Sequence, residues 1–279
     1  MSVLSGYFVM ATLRSLTKLV PAASAPARAR RRWATLVGPL SLLAGLAVWE
    51  AAAQFGGLPA FILPAPSAVL ARLATGLTEG WLLRHTAVTL GEVLAGLALG
   101  LVAATALGYL VAKSRLLERV LTPYIVASQA VPIVAIAPLL VLWFGVGLRS
   151  KVLICALIVF FPILINTVLG LRSIEPDLRD LLRSLRATRR QTLLTLEVPA
   201  ALPVWLAGLR VGATLAVVGA VVGEFVGADR GLGFLINFGR GQYDTALVFV
   251  AAGTLVGLAL ALYGAVAVLE RRLLAWKAG

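Results

Sequence analysis

The feature that most constrains this chain is the way its apolar residues fall in runs of about 20, the length at which a helix crosses the hydrocarbon core of a bilayer. Six such runs can be drawn: Trp33 to Phe55, Thr86 to Ala112, Pro123 to Phe144, Val152 to Leu171, Val204 to Phe225 and Thr245 to Leu269. Lipid offers the backbone no water, so a spanning segment must satisfy its own N–H and C=O groups. The ten-residue alternation of a barrel strand is not seen, which leaves helices. The expected fold class is all-α, a polytopic membrane protein with about six transmembrane helices. Residues 33–270 form the membrane domain, between a lead-in at 1–32 and a tail at 271–279.

Basic residues set the orientation, because short loops rich in Lys and Arg resist translocation. With six spans, one side of the membrane holds segments 1–32, 113–122, 172–203 and 270–279, which carry 18 of the 25 Lys and Arg; the segments on the other side carry six. Both termini and the 172–203 stretch are therefore expected in the cytoplasm, and the chain in the inner or plasma membrane. The net charge of +13 does not indicate a nucleic-acid protein, since the cations are spread over loops at the membrane surface, where anionic lipid headgroups are the natural counterions. Cys155 is the single cysteine and lies within a span, so it reads as a buried thiol with no intrachain disulfide.

The apolar patch Val3 to Leu13 precedes the basic cluster Arg28, Arg30, Arg31 and Arg32, the reverse of the order in a secretory signal. Residues 1–32 then read as a cytoplasmic lead-in with a Pro/Ala-rich linker, and Met10 is an alternative start. On the far side, Pro59, Pro64 and Pro66 precede Ser67, which is expected to cap a short amphipathic helix through Thr78 with Val69, Leu70 and Leu73 on one face. Pro132 and Pro138 each remove a backbone hydrogen bond from the third span, which reads either as a kinked packing helix or as one lining a pathway.

A charged island of roughly thirty residues separates Leu171 from Val204. It is too long for a turn and too short for a domain with its own core. The spacing predicts two short helices parallel to the membrane. Leu178, Leu181, Leu182 and Leu185 make one apolar stripe beside Arg179, Arg183 and Arg186, and Leu193, Leu194 and Leu196 make a weaker second one between Thr188 and Val198. Such a pair either docks in a groove of a soluble partner or rests on lipid.

The island reads Asp180-Leu181-Leu182-Arg183-Ser184-Leu185-Arg186-Ala187-Thr188, continues to Glu197-Val198-Pro199-Ala200-Ala201-Leu202-Pro203, and is followed by Leu206-Ala207-Gly208-Leu209-Arg210. It resembles the cytoplasmic coupling loop of ABC-type importer permeases, most closely the nitrate, sulfonate and taurine type. Leu63-Pro64-Ala65-Pro66-Ser67, Leu142-Trp143-Phe144-Gly145-Val146-Gly147, Gly223-Glu224-Phe225 and Gly231-Leu232-Gly233 extend the likeness over nearly all of the chain after residue 35. The resemblance implies a pore-forming subunit, a homodimer or paired with a similar permease, that takes solute from an extracytoplasmic binding protein. Its coupling loop, with Asp180, Leu181, Leu182, Arg183, Leu185, Arg186, Ala187 and Pro199, would dock on a separate ATPase. ATP and Mg would then bind the partner and no cofactor this chain, consistent with the absence of any Gly-x-x-x-x-Gly-Lys-Ser/Thr loop.

The family's Glu-Ala-Ala is here Asp180-Leu181-Leu182, and the turn glycine is Arg186. An arginine in a left-handed turn costs about 1 kcal/mol, so the turn is expected to be wider or shifted toward Ala187. An Arg there can also meet a carboxylate of the ATPase.

Charge inside a membrane is expensive and marks candidate sites. Glu50, His85 and Glu92 lie near span ends, where a structural role is expected, and Arg210 can reach the cytoplasmic surface. Glu224, flanked by Gly223 and Gly227, is a candidate for a gate or a contact with the binding protein, and Gln129, Trp143 and Asn166 join it as translocation or gate candidates. Asp229, Arg230, Arg240 and Asp244 in the loop after it either contact the binding protein or solvate the loop. With one His and one Cys there is no metal-ligand cluster, and no nucleophile stands beside a base, so the chain reads as a transport subunit and not an enzyme. An ion-coupled secondary transporter would show inverted repeats and mid-span carboxylates, neither of which is visible. The run Gly219 to Gly233 looks closer to permeases for vitamins and pyrimidine precursors, riboflavin included, than to those for sulfonates, taurine or nitrate. Phe160, Phe161 and Trp143 can either stack on a flat heterocycle or simply pack.

Overall fold

The computed structural model describes residues 27–57 and 59–277, and all its elements are helical. The expected lead-in therefore lies mostly outside the described residues. The chain falls into two units, Met1–Gly56 and Gly57–Gly279. The first contains α1 (Ala27–Phe55), an apolar helix with Leu40, Val48 and Phe55 exposed.

The second unit holds α2 (Pro66–Thr78), α3 (Trp81–Lys113), α4 (Arg115–Gln129), α5 (Ile133–Phe144), α6 (Leu148–Arg172), α7 (Pro176–Ser184), α8 (Arg189–Gly227), α9 (Leu232–Gly241) and α10 (Thr245–Leu273). Four of these, α3, α6, α8 and α10, are long and apolar enough to cross a membrane.

Helix α6 is the axis of the bundle, packed between α3 and α8. Lipid tails are as apolar as leucine, so helices in a membrane gain little from hydrophobic burial against each other and depend on close van der Waals approach, which small residues allow. Glycines supply it on both sides of α6. From α3, a Cβ on Gly100 would stand 2.8 Å from the carbonyl oxygen of Ala156, and one on Gly96 would overlap Cys155. From α8, a Cβ on Gly219 would stand 2.7 Å from the Cα of Cys155. Cys155 is fully buried between the two, its thiol donating to the Ala216 carbonyl at 3.3 Å.

Three expectations are corrected. The third span is not one helix: α4 and α5 meet at 95°, because Ala130–Pro132 break the ladder and Pro132 caps α5. Pro138 sits inside α5 without ending it. The short amphipathic helix starts two residues earlier, with Ala65 at the N-cap and Pro66 in the first turn, so Ser67 lies inside the helix and is not its cap. The second island helix does not stand alone. It is the start of α8, joined through a π turn at Leu193–Glu197 to the span, which the sequence placed only from Val204.

Candidate functional site

Two polar clusters sit at opposite ends of the α3–α6–α8 bundle. The first is built around the N-terminus of α9. A helix start leaves its first amide N–H groups without partners, and here three side chains from other helices take them. Gly231 N–H lies 3.0 Å from His85 Nδ1, Leu232 N–H donates to Thr89 Oγ1 at 2.8 Å, and Gly233 N–H donates to Glu224 Oε2. Thr89 passes the chain on, its hydroxyl donating to Glu224 Oε1 at 2.6 Å. The carboxylate thus sits where the α9 dipole is positive. Glycine is required around it: Gly231 has φ +117°, and a Cβ there would overlap the Glu224 carboxylate, while one on Gly233 would stand 2.7 Å from Oε2. His85 also stacks on Phe234, ring centroids 5.8 Å apart and nearly parallel, tying α9 to α3 a second time.

One turn deeper, Lys151 Nζ on α6 donates to Glu92 Oε1 on α3 at 2.9 Å. Both side chains are buried, 6% and 2% exposed. Gly223 makes room for the lysine, since a Cβ there would be 3.1 Å from the Lys151 Cα. Glu92, Thr89, Lys151 and Glu224 therefore tie three helices and α9 into one polar knot. Glu224, taken from the sequence as a gate candidate, is 1% exposed and serves as the anchor of α9. His85 and Glu92, for which a structural role is expected, both lie in contacts between helices here.

The second cluster surrounds α7. Leu178, Leu181 and Leu185 are 43%, 55% and 67% exposed and Leu182 is half-buried, so most of the apolar stripe is left uncovered by the described residues. Asp180 and Arg183 pair on its flank at 2.9 Å. The turn after α7 is not widened or shifted to Ala187. Arg186 itself takes the left-handed conformation, φ 55°, with its N–H on the Arg183 carbonyl and the Ala187 N–H on the Leu182 carbonyl, both 2.9 Å. This is a Schellman closure with arginine in the glycine position. Replacing it should relieve the Cβ strain: Arg186→Gly is expected to slow hydrogen exchange at the Ala187 amide about five-fold, the equivalent of about 1 kcal/mol. Unchanged exchange would mean that the arginine is held there by contacts that offset the strain. Thr188 and Gln191 then form a reciprocal capping box, and α8 begins.

At this end Lys113, the last residue of α3, pairs with the buried carboxylate of Glu197 and lies over the Tyr109 ring at 5.4 Å. Arg172 pairs with Glu118, and Arg210 with Glu270, its guanidinium 5.2 Å from the Tyr263 ring centroid. Pro199 lies in the first turn of the α8 segment Val198–Gly227.

The remaining candidates are dispersed. Trp143 is 66% exposed at the end of α5, Gln129 ends α4 with its amide on the Ile125 carbonyl, and Asn166 in α6 donates to the Pro162 carbonyl at 2.8 Å. Asp229 and Arg230 are exposed and approach each other at 3.7 Å, and Arg240 is exposed at the end of α9. Asp244 differs from these three. It caps α10 through the Leu247 N–H at 3.0 Å and pairs with Arg72 of α2 at 3.0 Å. Among the described residues no group of three His, Cys, Asp or Glu side chains could hold a metal.

Residues 96–275 match the family described as the binding-protein-dependent transport system inner membrane component. The chain is 49% identical to the riboflavin transport system permease protein of Chloroflexus aurantiacus over 89% of its length and 93% of that protein's. It is 38% identical to the formylaminopyrimidine transport permease protein of Halalkalibacterium halodurans, over 89% and 98%, and 31% identical to the taurine transport system permease protein of Escherichia coli, over 86% and 88%. Its fold is similar to a chain of the MetNI methionine ABC transporter in an inward-facing form, with TM-score 0.63, 20% identity and coverage of 70% of this chain and 97% of that one.

Proposed function

Because this chain belongs to the family of binding-protein-dependent transport system inner membrane components, and is the permease subunit of an ABC importer and not itself an enzyme, we propose that its solute is a vitamin-type heterocycle, riboflavin or a thiamine pyrimidine precursor. The observation that carries this is the ordering of its relatives. Identity falls from 49% for a riboflavin permease to 38% for a formylaminopyrimidine permease and 31% for a taurine permease, over nearly the same span each time.

In this reading six spans cross the membrane, with α1 the first and the bent pair α4–α5 the third. The termini and α7 face the cytoplasm, and two copies of the chain form the pore. The exposed Leu178, Leu181 and Leu185 face of α7 is the seat for the ATPase, which alone binds ATP and Mg. Helix α8 connects the two clusters. Its 39 residues span roughly 58 Å at 1.5 Å per residue, about twice the hydrocarbon thickness, from the α7 turn to just past Glu224. A tilt imposed on α7 then reaches α9 through one continuous rod, and the polar knot makes α9 follow. Asp229, Arg230 and Arg240, exposed beside α9, are the contacts offered to the binding protein. Gln129, Trp143 and Asn166 are the groups assigned to the pathway.

The test is made on the binding protein encoded beside this chain, titrated by calorimetry with riboflavin, a thiamine-type pyrimidine, taurine and nitrate. Tight binding of a flat heterocycle, followed by ATP-dependent uptake of that compound by the assembled complex, is the expected result. Binding of taurine or nitrate instead would move the permease to the sulfonate or nitrate branch.

A further inference from the structure

Beside the α7 turn two cavities of opposite character share two residues. One is a polar recess of about 670 Å³ whose walls include Lys113 of α3, Arg179 and Arg183 of α7, and Arg189 of α8. The other is an apolar cleft of about 240 Å³ running between α3, α6 and α8 past Leu171, Leu202 and Trp205. Tyr109 and Glu197 line both. The cavities adjoin at these two side chains, so an amphiphile could place its head in one and its chain in the other.

Unmet hydrogen bonds indicate what the head must offer. Arg179 donates through a terminal nitrogen to the Leu171 carbonyl at 2.5 Å, but its Nε is buried with no acceptor. Glu197 is 2% exposed; its Oε1 is taken by Lys113, while Oε2 is buried with no donor. A buried polar atom left unpaired costs about 1–3 kcal/mol, so a ligand that satisfies both gains on both. Arg179 needs an anionic oxygen, and Glu197 needs a hydroxyl or ammonium hydrogen. Of the four cationic side chains, Lys113 is paired with Glu197 and Arg183 with Asp180, which leaves Arg179 and Arg189 to favour a headgroup with net negative charge, and guanidinium groups match phosphate oxygens geometrically.

The geometry points to a binding site for one anionic phospholipid of the glycerol-headgroup type, its phosphate on Arg179 and Arg189, a headgroup hydroxyl on Glu197 Oε2 and one acyl segment beside Trp205. The site rests on the chain's lying in a membrane and not on which solute it carries. It lies where α7 joins the bundle, so its occupant would brace the loop that meets the ATPase.

The experiment uses the full chain in detergent, followed by native mass spectrometry during titration with phosphatidylglycerol, phosphatidylcholine and the water-soluble headgroup glycerophosphoglycerol. At least ten-fold tighter retention of phosphatidylglycerol than of phosphatidylcholine is expected, reduced about ten-fold in Arg179→Gln and in the separately made Arg189→Gln. A phosphatidylglycerol with a photoreactive acyl chain should label the stretch 193–205. Equal retention of the two lipids, unchanged binding in both variants, or labelling only elsewhere would overturn the proposal. So would glycerophosphoglycerol binding as tightly as the lipid, which would reduce the site to an anion pocket. Displacement of the bound lipid by the purified ATPase would also overturn it, by making the recess part of the ATPase seat.

Discussion

Lys151→Met is expected to cost about 3–5 kcal/mol, because it leaves the Glu92 carboxylate buried at 2% exposure with its cation gone. In a membrane bundle this should appear as loss of most of the extractable, monodisperse protein and a marked fall in the thermal midpoint of what remains. Methionine keeps the length and apolar stem of lysine, so the comparison isolates charge from packing. The decisive measurement is the double variant Glu92→Gln with Lys151→Met. It removes both charges, and replacing a buried pair by neutral groups is often close to neutral, so it should recover most of the stability lost in the single variant. A Lys151→Met protein as stable as the parent would show that the pair is not what holds α3 against α6. A double variant that is stable but inactive would show that the pair serves transport rather than folding.

The second large effect is expected at the other end of the molecule. Leu181→Glu combined with Leu185→Glu should leave the bundle folded, since both side chains already stand more than half exposed, yet abolish assembly with the ATPase. Burying a leucine contributes about 1.5–3 kcal/mol. Losing two such contacts, and placing two carboxylates in the seat, should weaken association at least about a hundred-fold. Co-purification of the permease with its ATPase, beside a thermal melt of the permease alone, reads the two effects separately. Retained assembly with an intact melt would remove α7 as the docking element. A collapsed melt would mean instead that the stripe packs within the membrane domain.

The two expectations differ in how far the sequence foresaw them. The α7 stripe is local: leucines three and four residues apart lie on one helix face whatever else the chain does, so its amphipathic character follows from spacing alone. The Glu92–Lys151 pair is non-local, 59 residues apart in the chain. Charge in an apolar span signals that a partner must exist, and Lys151 near the start of α6 offered a cation at a similar depth to Glu92. Nothing in spacing says which helices face each other. Glu224 shows the same limit. Its flanking glycines marked it as special, but its role depends on Gly231 and Gly233 returning to it after a turn, with Thr89 arriving from α3.

What the sequence by itself determined is what depends on transfer from water and on neighbours a few residues away: that the chain is helical and spans a membrane, where the apolar stretches lie, and that the island at 172–203 carries an amphipathic helix. What only the tertiary structure decided is what depends on which surfaces meet. It set the right-angle break between α4 and α5, the continuity of α8 through the island, the left-handed Arg186, and the assembly of His85, Thr89, Glu92, Lys151 and Glu224 around α9. Hydrophobicity is summed along the chain and so can be read from it, whereas glycine-mediated contact and buried ion pairing are formed between segments, where their energy depends on ångström-scale approach that no linear pattern encodes.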